Sequence, residues 1–355
     1  MSRSAIPLAA LLLALFTTAS QGQTAGQPQP LNTDTIADAL ARPPGAAVSV
    51  PRTRGSIDLK GKRFYIAEYR VLIDQGGELN AWTRDGALMG LQLKSDEAII
   101  NYRAAPDLAA PKAMQALQAL VDKAWADLQV RLDAAGVVLT PATDIINAHG
   151  AIFDATEPGS SPGNPQIVDN KTGDTTRRYL VLAPTGTRLI RQVPGGIDVG
   201  NLGARVSYPS NKVEGLSLAL AVNLTGLDPS SKRASSFAPR PGGGEALSPQ
   251  MELGPAPSSA LVHAHGQRSL VNLSEALVLA PEFARLRVAS PAETGRKSAL
   301  DSLLSLGRTL TGSKPQVDAV LELDGPATAR LLAYSLAAGN QAIADTLKAA
   351  QGTAP

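Results

Sequence analysis

His263 and His265 are the residues whose type and spacing most plainly offer chemistry. Two apart in a strand, their imidazoles point to one face and could reach a single metal ion. Zinc normally takes three or four protein ligands. The chain has three histidines, the other being His149, and no carboxylate stands at a recognisable ligand spacing. The competing reading is a hydrogen-bonded pair in a strand. A metal-dependent enzyme using His263 and His265 is therefore an alternative function, and no other cofactor is expected. Trp82, beside an expected hairpin turn, is a candidate ligand-binding residue.

Other chemistry finds less support. No G-x-S-x-G occurs, so the strained turn that exposes a hydrolase serine is missing. No serine stands out as the partner of a histidine and a carboxylate. The chain contains no cysteine, which removes disulfides, thiolate metal sites and thiol nucleophiles together. Pro194-Gly195-Gly196 and Gly242-Gly243-Gly244 lack the Lys-Ser/Thr that follows a phosphate loop, and read as turns. Asn170, Asn223 and Asn272 each begin an N-x-S/T triplet, without consequence in a bacterial exported protein. Glu68 and Arg70 share the polar face of a strand and read as a solvated pair worth little.

The elements that must position these residues follow from periodicity. Over 63–73, Tyr65, Ala67, Tyr69, Val71 and Ile73 alternate onto one face, with Phe64, Ile66, Glu68 and Arg70 on the other. Alternation of aromatic and β-branched residues predicts a strand. A hairpin is expected at Asp85-Gly86, with a further strand over 98–102. A helix follows from Pro106 or Pro111 to Ala135, because Met114, Leu117, Val121, Ala124, Trp125, Leu128 and Leu132 fall on one stripe and Gly136 stands past its end. Trp125 lies on that stripe and reads as core. The run 137–139 is expected as a strand, and Thr140-Pro141 as the start of a second helix.

Beyond residue 176 the pattern is strand-rich: 178–192, 203–227, 261–279 and 284–289 all read as strands separated by Gly and Pro turns. Short helices are expected at 33–41, after Asn32 and Thr33, and at 299–306. Val317, Ala319, Leu321 and Leu323 alternate as a last strand. Pro326 then opens a helix carrying Leu332, Leu336, Ile343 and Leu347 on one face, which Gly339 is expected to break.

Two compositional features bound the compartment. Arg3 followed by an apolar run over 5–16 and the small residues Thr18, Ala19 and Ser20 reads as a secretory signal peptide, cleaved near Ser20-Gln21. That run is shorter than the roughly 20 apolar residues needed to span a bilayer. The net charge of +2 falls to +1 on losing Arg3, and no basic run exceeds a dipeptide, so nothing resembles a nucleic-acid footprint. Aromatics make up 4% of the chain, too few for stacking platforms. An exported protein without disulfides points to a bacterial envelope.

Residues 62–146 resemble a known envelope domain. The strand KRFYIAEYRVLID, the helix ALQALVDKAWADLQVRLDAAG and the segment VVLTPATDI follow in the order of the amino-terminal domain of the TolB family and the related domain of curli assembly components. Leu132, Gly136, Val137 and Val138 carry the helix-to-strand passage. The resemblance implies an α/β fold and an envelope location, and it transfers no functional residue. The chain lacks the propeller repeats of TolB and the lipid-bearing cysteine of the curli component.

The sequence thus predicts an α/β or α+β protein: a strand–helix–strand unit, then a strand-rich part closed by a C-terminal strand and helix. Its expected segments are a signal peptide at 1–20, a flexible leader at 21–56, an α/β domain at 57–155, a linker at 156–176 and a second α/β domain at 177–350 with a low-complexity insertion at 228–259. The expected function is a periplasmic or secreted protein-binding or assembly factor without enzymatic activity. Its partner is expected to be an envelope protein or a second copy, with no nucleic acid and no stable membrane insertion. A small-ligand or glycan-binding module is the alternative.

Overall fold

The computed structural model describes residues 31–41, 50–82, 87–88, 91–92, 97–141, 144, 156–172, 175–190, 213–225, 237–239, 245–247, 249, 251–254, 260–279, 283–294 and 316–352. Its helices are α1 (Thr33–Ala41), α2 (Pro111–Ala134), α3 (Pro291–Thr294) and α4 (Gly325–Ala350). Its strands before residue 200 are β1 (Thr53–Gly55), β2 (Arg63–Trp82), β3 (Ala87–Leu88), β4 (Leu91–Gln92), β5 (Glu97–Ala105), β6 (Thr156–Pro158), β7 (Ile167–Thr172), β8 (Thr175–Leu182) and β9 (Arg188–Ile190). After it come β10 (Val213–Asn223), β11 (Phe237–Pro239), β12 (Glu245–Leu247), β13 (Glu252–Gly254), β14 (Val262–Ala264), β15 (Ser269–Leu273), β16 (Leu277–Val278), β17 (Ala284–Val288) and β18 (Gln316–Leu323).

The fold is mixed α/β, built on one 12-stranded sheet running β1-β15-β14-β10-β2-β5-β18-β17. Off this path β13 joins β10 to β16, and β8 joins β2 to β7. The sheet is mixed because β2 runs parallel to β10, and β5 to β18, while the other pairs are antiparallel. Strands from both halves of the sequence therefore alternate in space, and the chain shares one core across the expected linker. The stretch 228–259 supplies β11, β12 and β13, the last of them buried in the main sheet.

β2 organises the sheet. Its 20 residues are longer than the alternation predicts, and two irregularities change its facing. The first falls between Ile66 and Glu68, opposite Leu216 and Ser217. It puts Phe64 in the same apolar cluster as Tyr69, Val71 and Ile73, so Tyr65 moves to the face of Glu68 and Arg70. The second lies at Asp74–Gly76, where β2 leaves β10 and takes up β5 on the same side. Gly77, with φ +147°, passes so close to β8 that a Cβ would lie 2.0 Å from the Thr176 carbonyl oxygen. A glycine is required there.

One face of the sheet is covered by α1, α2 and α4. Leu117, Leu120, Val121, Leu128 and Leu132 of α2 and Leu332, Leu336, Ile343 and Leu347 of α4 pack with Leu216, Leu218, Leu220 and Val222 of β10. Helix α1 spans the residues expected of it and adds Ile36 and Ala39. Helix α4 begins where Asp324 accepts the Ala327 amide at 2.9 Å. It continues unbroken through Gly339, against expectation, because the missing side chain lets the helix lie directly on Leu220. The expected strand over 137–139 is instead an irregular extended segment, held by the Thr140 amide on the Phe64 carbonyl, with Val138 exposed. The signal peptide, the Asp85-Gly86 turn, His149 and the helix over 299–306 lie outside the described residues, as does most of the helix expected from Thr140-Pro141.

Candidate functional site

The face of the central strands turned away from α1, α2 and α4 carries several buried polar residues. Glu68 and Arg70 of β2 lie there, and Ser217 of β10 stands opposite both Glu68 and His263 of β14. Glu68 and Arg70 are 5% and 3% exposed, so the expected solvated pair is in fact a buried one, with 3.0 Å between Arg70 Nη2 and Glu68 Oε2. The pair grips both backbone groups of one β9 residue, Ile190. The Ile190 amide donates to Glu68 Oε2 at 2.6 Å, and Arg70 Nη2 donates to the Ile190 carbonyl at 3.1 Å. Charged and hydrogen-bonded groups thus fasten β9 onto this face, beside an apolar cluster of Leu72, Tyr179, Val181, Leu189, Ala219 and Ala221.

His263 and His265 come together on the same seam. Their ring centroids are 4.2 Å apart with planes tilted by 47°, and both residues are more than nine-tenths buried. His265 Nε2 lies 2.5 Å from Ser217 Oγ. Among the described residues, His265 Nδ1, His263 Nε2 and Arg70 Nε are buried without a hydrogen-bond partner. Burial pushes the His263 imidazole down to about 4. Burial, His263 and the Arg70 charge push His265 down to about 3. Both rings are therefore neutral in ordinary buffers and hold a lone pair. Among the described residues no third histidine, aspartate, glutamate or cysteine joins them as a metal-ligating group.

A second polar cluster sits where β2 changes partners. Asp74 is fully buried and accepts from Tyr102 Oη at 2.7 and 2.8 Å, from the Gly76 amide at 3.1 Å and from the Leu224 amide at 3.2 Å. The carboxylate thereby replaces the strand partners missing at the fork. Burial pushes Asp74 up, while the Arg177 charge, the Tyr102 hydroxyl and the two amides pull it back. Arg177 donates to the Thr225 carbonyl at 3.1 Å, and Tyr179 donates to Asn223 Oδ1 at 2.7 Å. Every contact here closes the sheet, which makes this a structural site.

A cleft of about 640 Å³ opens along β2, β5 and the approach to α2. Glu78, Asn101, Arg103, Asp107 and Arg178 line it. Asn101 donates to Asp318 at 3.1 Å, and among the described residues its buried Oδ1 has no partner. Trp82 closes β2 opposite Glu97, but its side chain lies outside the described residues. Trp125, half-buried, packs against the edge of the core on Tyr69 at a centroid distance of 5.3 Å.

Ser217 and Asp74 went unnoticed in the sequence. The signal for Ser217 is a lone hydroxyl in the apolar run 216–222. For Asp74 it is the Gly76-Gly77 pair that follows within a strand, a mark of a bulge. No protein-family model, no curated protein and no solved structure matches this chain.

Proposed function

We propose that this is an exported protein of the bacterial envelope that works by binding another protein chain along the margins of its sheet. The supporting observation is the placement of its exposed apolar side chains. Among the described residues β1, β7, β16 and β17 each pair with one neighbour only. Ile167 of β7, Val278 of β16 and Val288 of β17 are exposed, and so is Leu270 of β15, one step past the end of β1. An open strand edge that also presents apolar side chains is a template for an added strand. The apolar N-terminal run supports export.

The test compares the wild type with Val278→Lys and Val288→Lys for self-association in the ultracentrifuge and for partner capture from the native envelope. The reading expects a complex that either charge weakens. A monomer that captures nothing, or captures equally in both variants, overturns it. Turnover in a hydrolase panel that disappears on substituting one cleft residue also overturns it. The cleft favours a small-ligand module as second reading, since it joins charges of both signs to an unsatisfied amide oxygen. A thermal shift with one sugar or metabolite, absent in Arg103→Ala, supports that alternative.

A further inference from the structure

We infer that His263 and His265 form a two-imidazole site for a divalent transition-metal ion of tetragonal preference, copper above all, oriented by Ser217. The site is independent of the sheet margins. Buried polar atoms are hydrogen-bonded in the great majority of cases, so two orphaned ring nitrogens in contacting rings call for a partner. Two tautomers satisfy the short Ser217 contact. If the hydroxyl donates to His265 Nε2, then Nδ1 carries a buried hydrogen aimed at nothing. If Nε2–H donates to Ser217 Oγ instead, Nδ1 keeps a lone pair. The second arrangement is that of a metal-bound histidine, whose other nitrogen is fixed by a polar neighbour.

Geometry then selects the metal. At metal–nitrogen distances of about 2 Å, imidazoles on opposite sides of one ion would have centroids roughly 6 Å apart. The observed 4.2 Å is shorter than that, so the rings fit the places of adjacent rather than opposed ligands. Structural zinc sites use four protein ligands, and the described residues provide two. Adjacent nitrogens completed by oxygen ligands suit a tetragonal ion, and copper(II) leads the divalent affinity order. Water or an incoming ligand takes the other positions. The Arg70 charge opposes a cation, but Glu68 neutralises it at 3.0 Å.

The test strips the purified chain with a chelator and titrates it with copper(II), zinc(II) and nickel(II), each alone, following paramagnetic resonance for copper and Tm for all three. One copper ion per chain, coupled to two nitrogens and raising Tm, is the expected result. His263→Gln and His265→Gln, checked as folded by circular dichroism, should each lose more than tenfold in affinity. Ser217→Ala keeps both imidazoles and should lose roughly tenfold, the usual effect of a supporting contact. Absence of saturable copper binding overturns the proposal, as does undiminished affinity in both glutamine variants or tighter zinc than copper. Should the glutamine variants unfold, unchanged affinity in Ser217→Ala overturns it.

Discussion

Tyr69 Oη donates to Asn340 Oδ1 at 2.9 Å, tying the central strand to the C-terminal helix inside the core. The same amide donates to the Ala124 carbonyl at 2.7 Å and to Asp127 Oδ2 at 3.0 Å, so one side chain joins β2, α2 and α4 with its hydrogen-bonding groups engaged. Asn340→Ala leaves the buried Tyr69 hydroxyl without its acceptor and removes the ties to the Ala124 carbonyl and Asp127. The expected loss is about 3 kcal/mol in urea denaturation, against about 1 kcal/mol for Tyr69→Phe. The double variant should fall short of the sum, because both changes remove the same bond.

Gly339 invites the opposite expectation from its helix alone, where alanine is better than glycine by about 1 kcal/mol. The packing reverses it. A Cβ at 339 would lie 2.4 Å from Leu220 Cδ2 and within 3.3 Å of Leu220 Cγ, and Leu220 is itself buried. Overpacking costs about 1–3 kcal/mol. Gly339→Ala should therefore lower Tm in the wild type and raise it in a Leu220→Ala background, where the added methyl finds room. A stabilised single variant would sink this account.

The same competition explains what was legible. Long periodic segments such as α2 and β18 are legible, because one apolar face decides their period. Gly339 misled because helix propensity is local while the constraint comes from Leu220, more than a hundred residues away. Strict alternation places Phe64 and Tyr65 on the wrong faces because a bulge adds one residue without a periodic trace. Glu68 and Arg70 looked solvated since alternation cannot tell a sheet with one wet face from one that β9 covers. His263 and His265 were visible as a pair, whereas Ser217 acquires meaning only from the register of β10 and β14.

Asp74 should be among the least replaceable residues of the fold. Asn at this position keeps the shape but presents an amide nitrogen to one set of donors, Gly76 and Tyr102 or Leu224 and Thr225, and withdraws the charge facing Arg177. Removing one partner of a buried charge pair costs about 3–5 kcal/mol. Asp74→Asn should fall in that range at neutral pH. Because burial pushes this carboxyl up, the folded chain takes on its proton before the unfolded chain does. The wild type therefore gains stability as pH falls through that range, and the difference between the two proteins should widen in acid. A gap independent of pH would show that burial leaves this carboxyl at its ordinary value.

The imidazole pair gives acid sensitivity of the opposite sign. Both histidines have folded values below the ordinary 6.5, about 4 for His263 and about 3 for His265. The unfolded chain therefore binds their protons first. Their contribution is intact above pH 6.5 and is lost as pH falls from there toward 4 and 3. At pH 5, about one and a half units below the ordinary imidazole value, the unfolded rings are protonated while the folded rings stay largely unprotonated, so protonation favours the unfolded chain by about 2 kcal/mol per ring at 1.36 kcal/mol per unit. In chelator-treated protein the wild type should lose roughly 4 kcal/mol between pH 7 and pH 5 relative to the His263→Gln, His265→Gln double variant. Taking that difference cancels Asp74, which both proteins share. Urea melts at the two pH values measure it, and parallel losses in the two proteins would mean that the rings are already open to water.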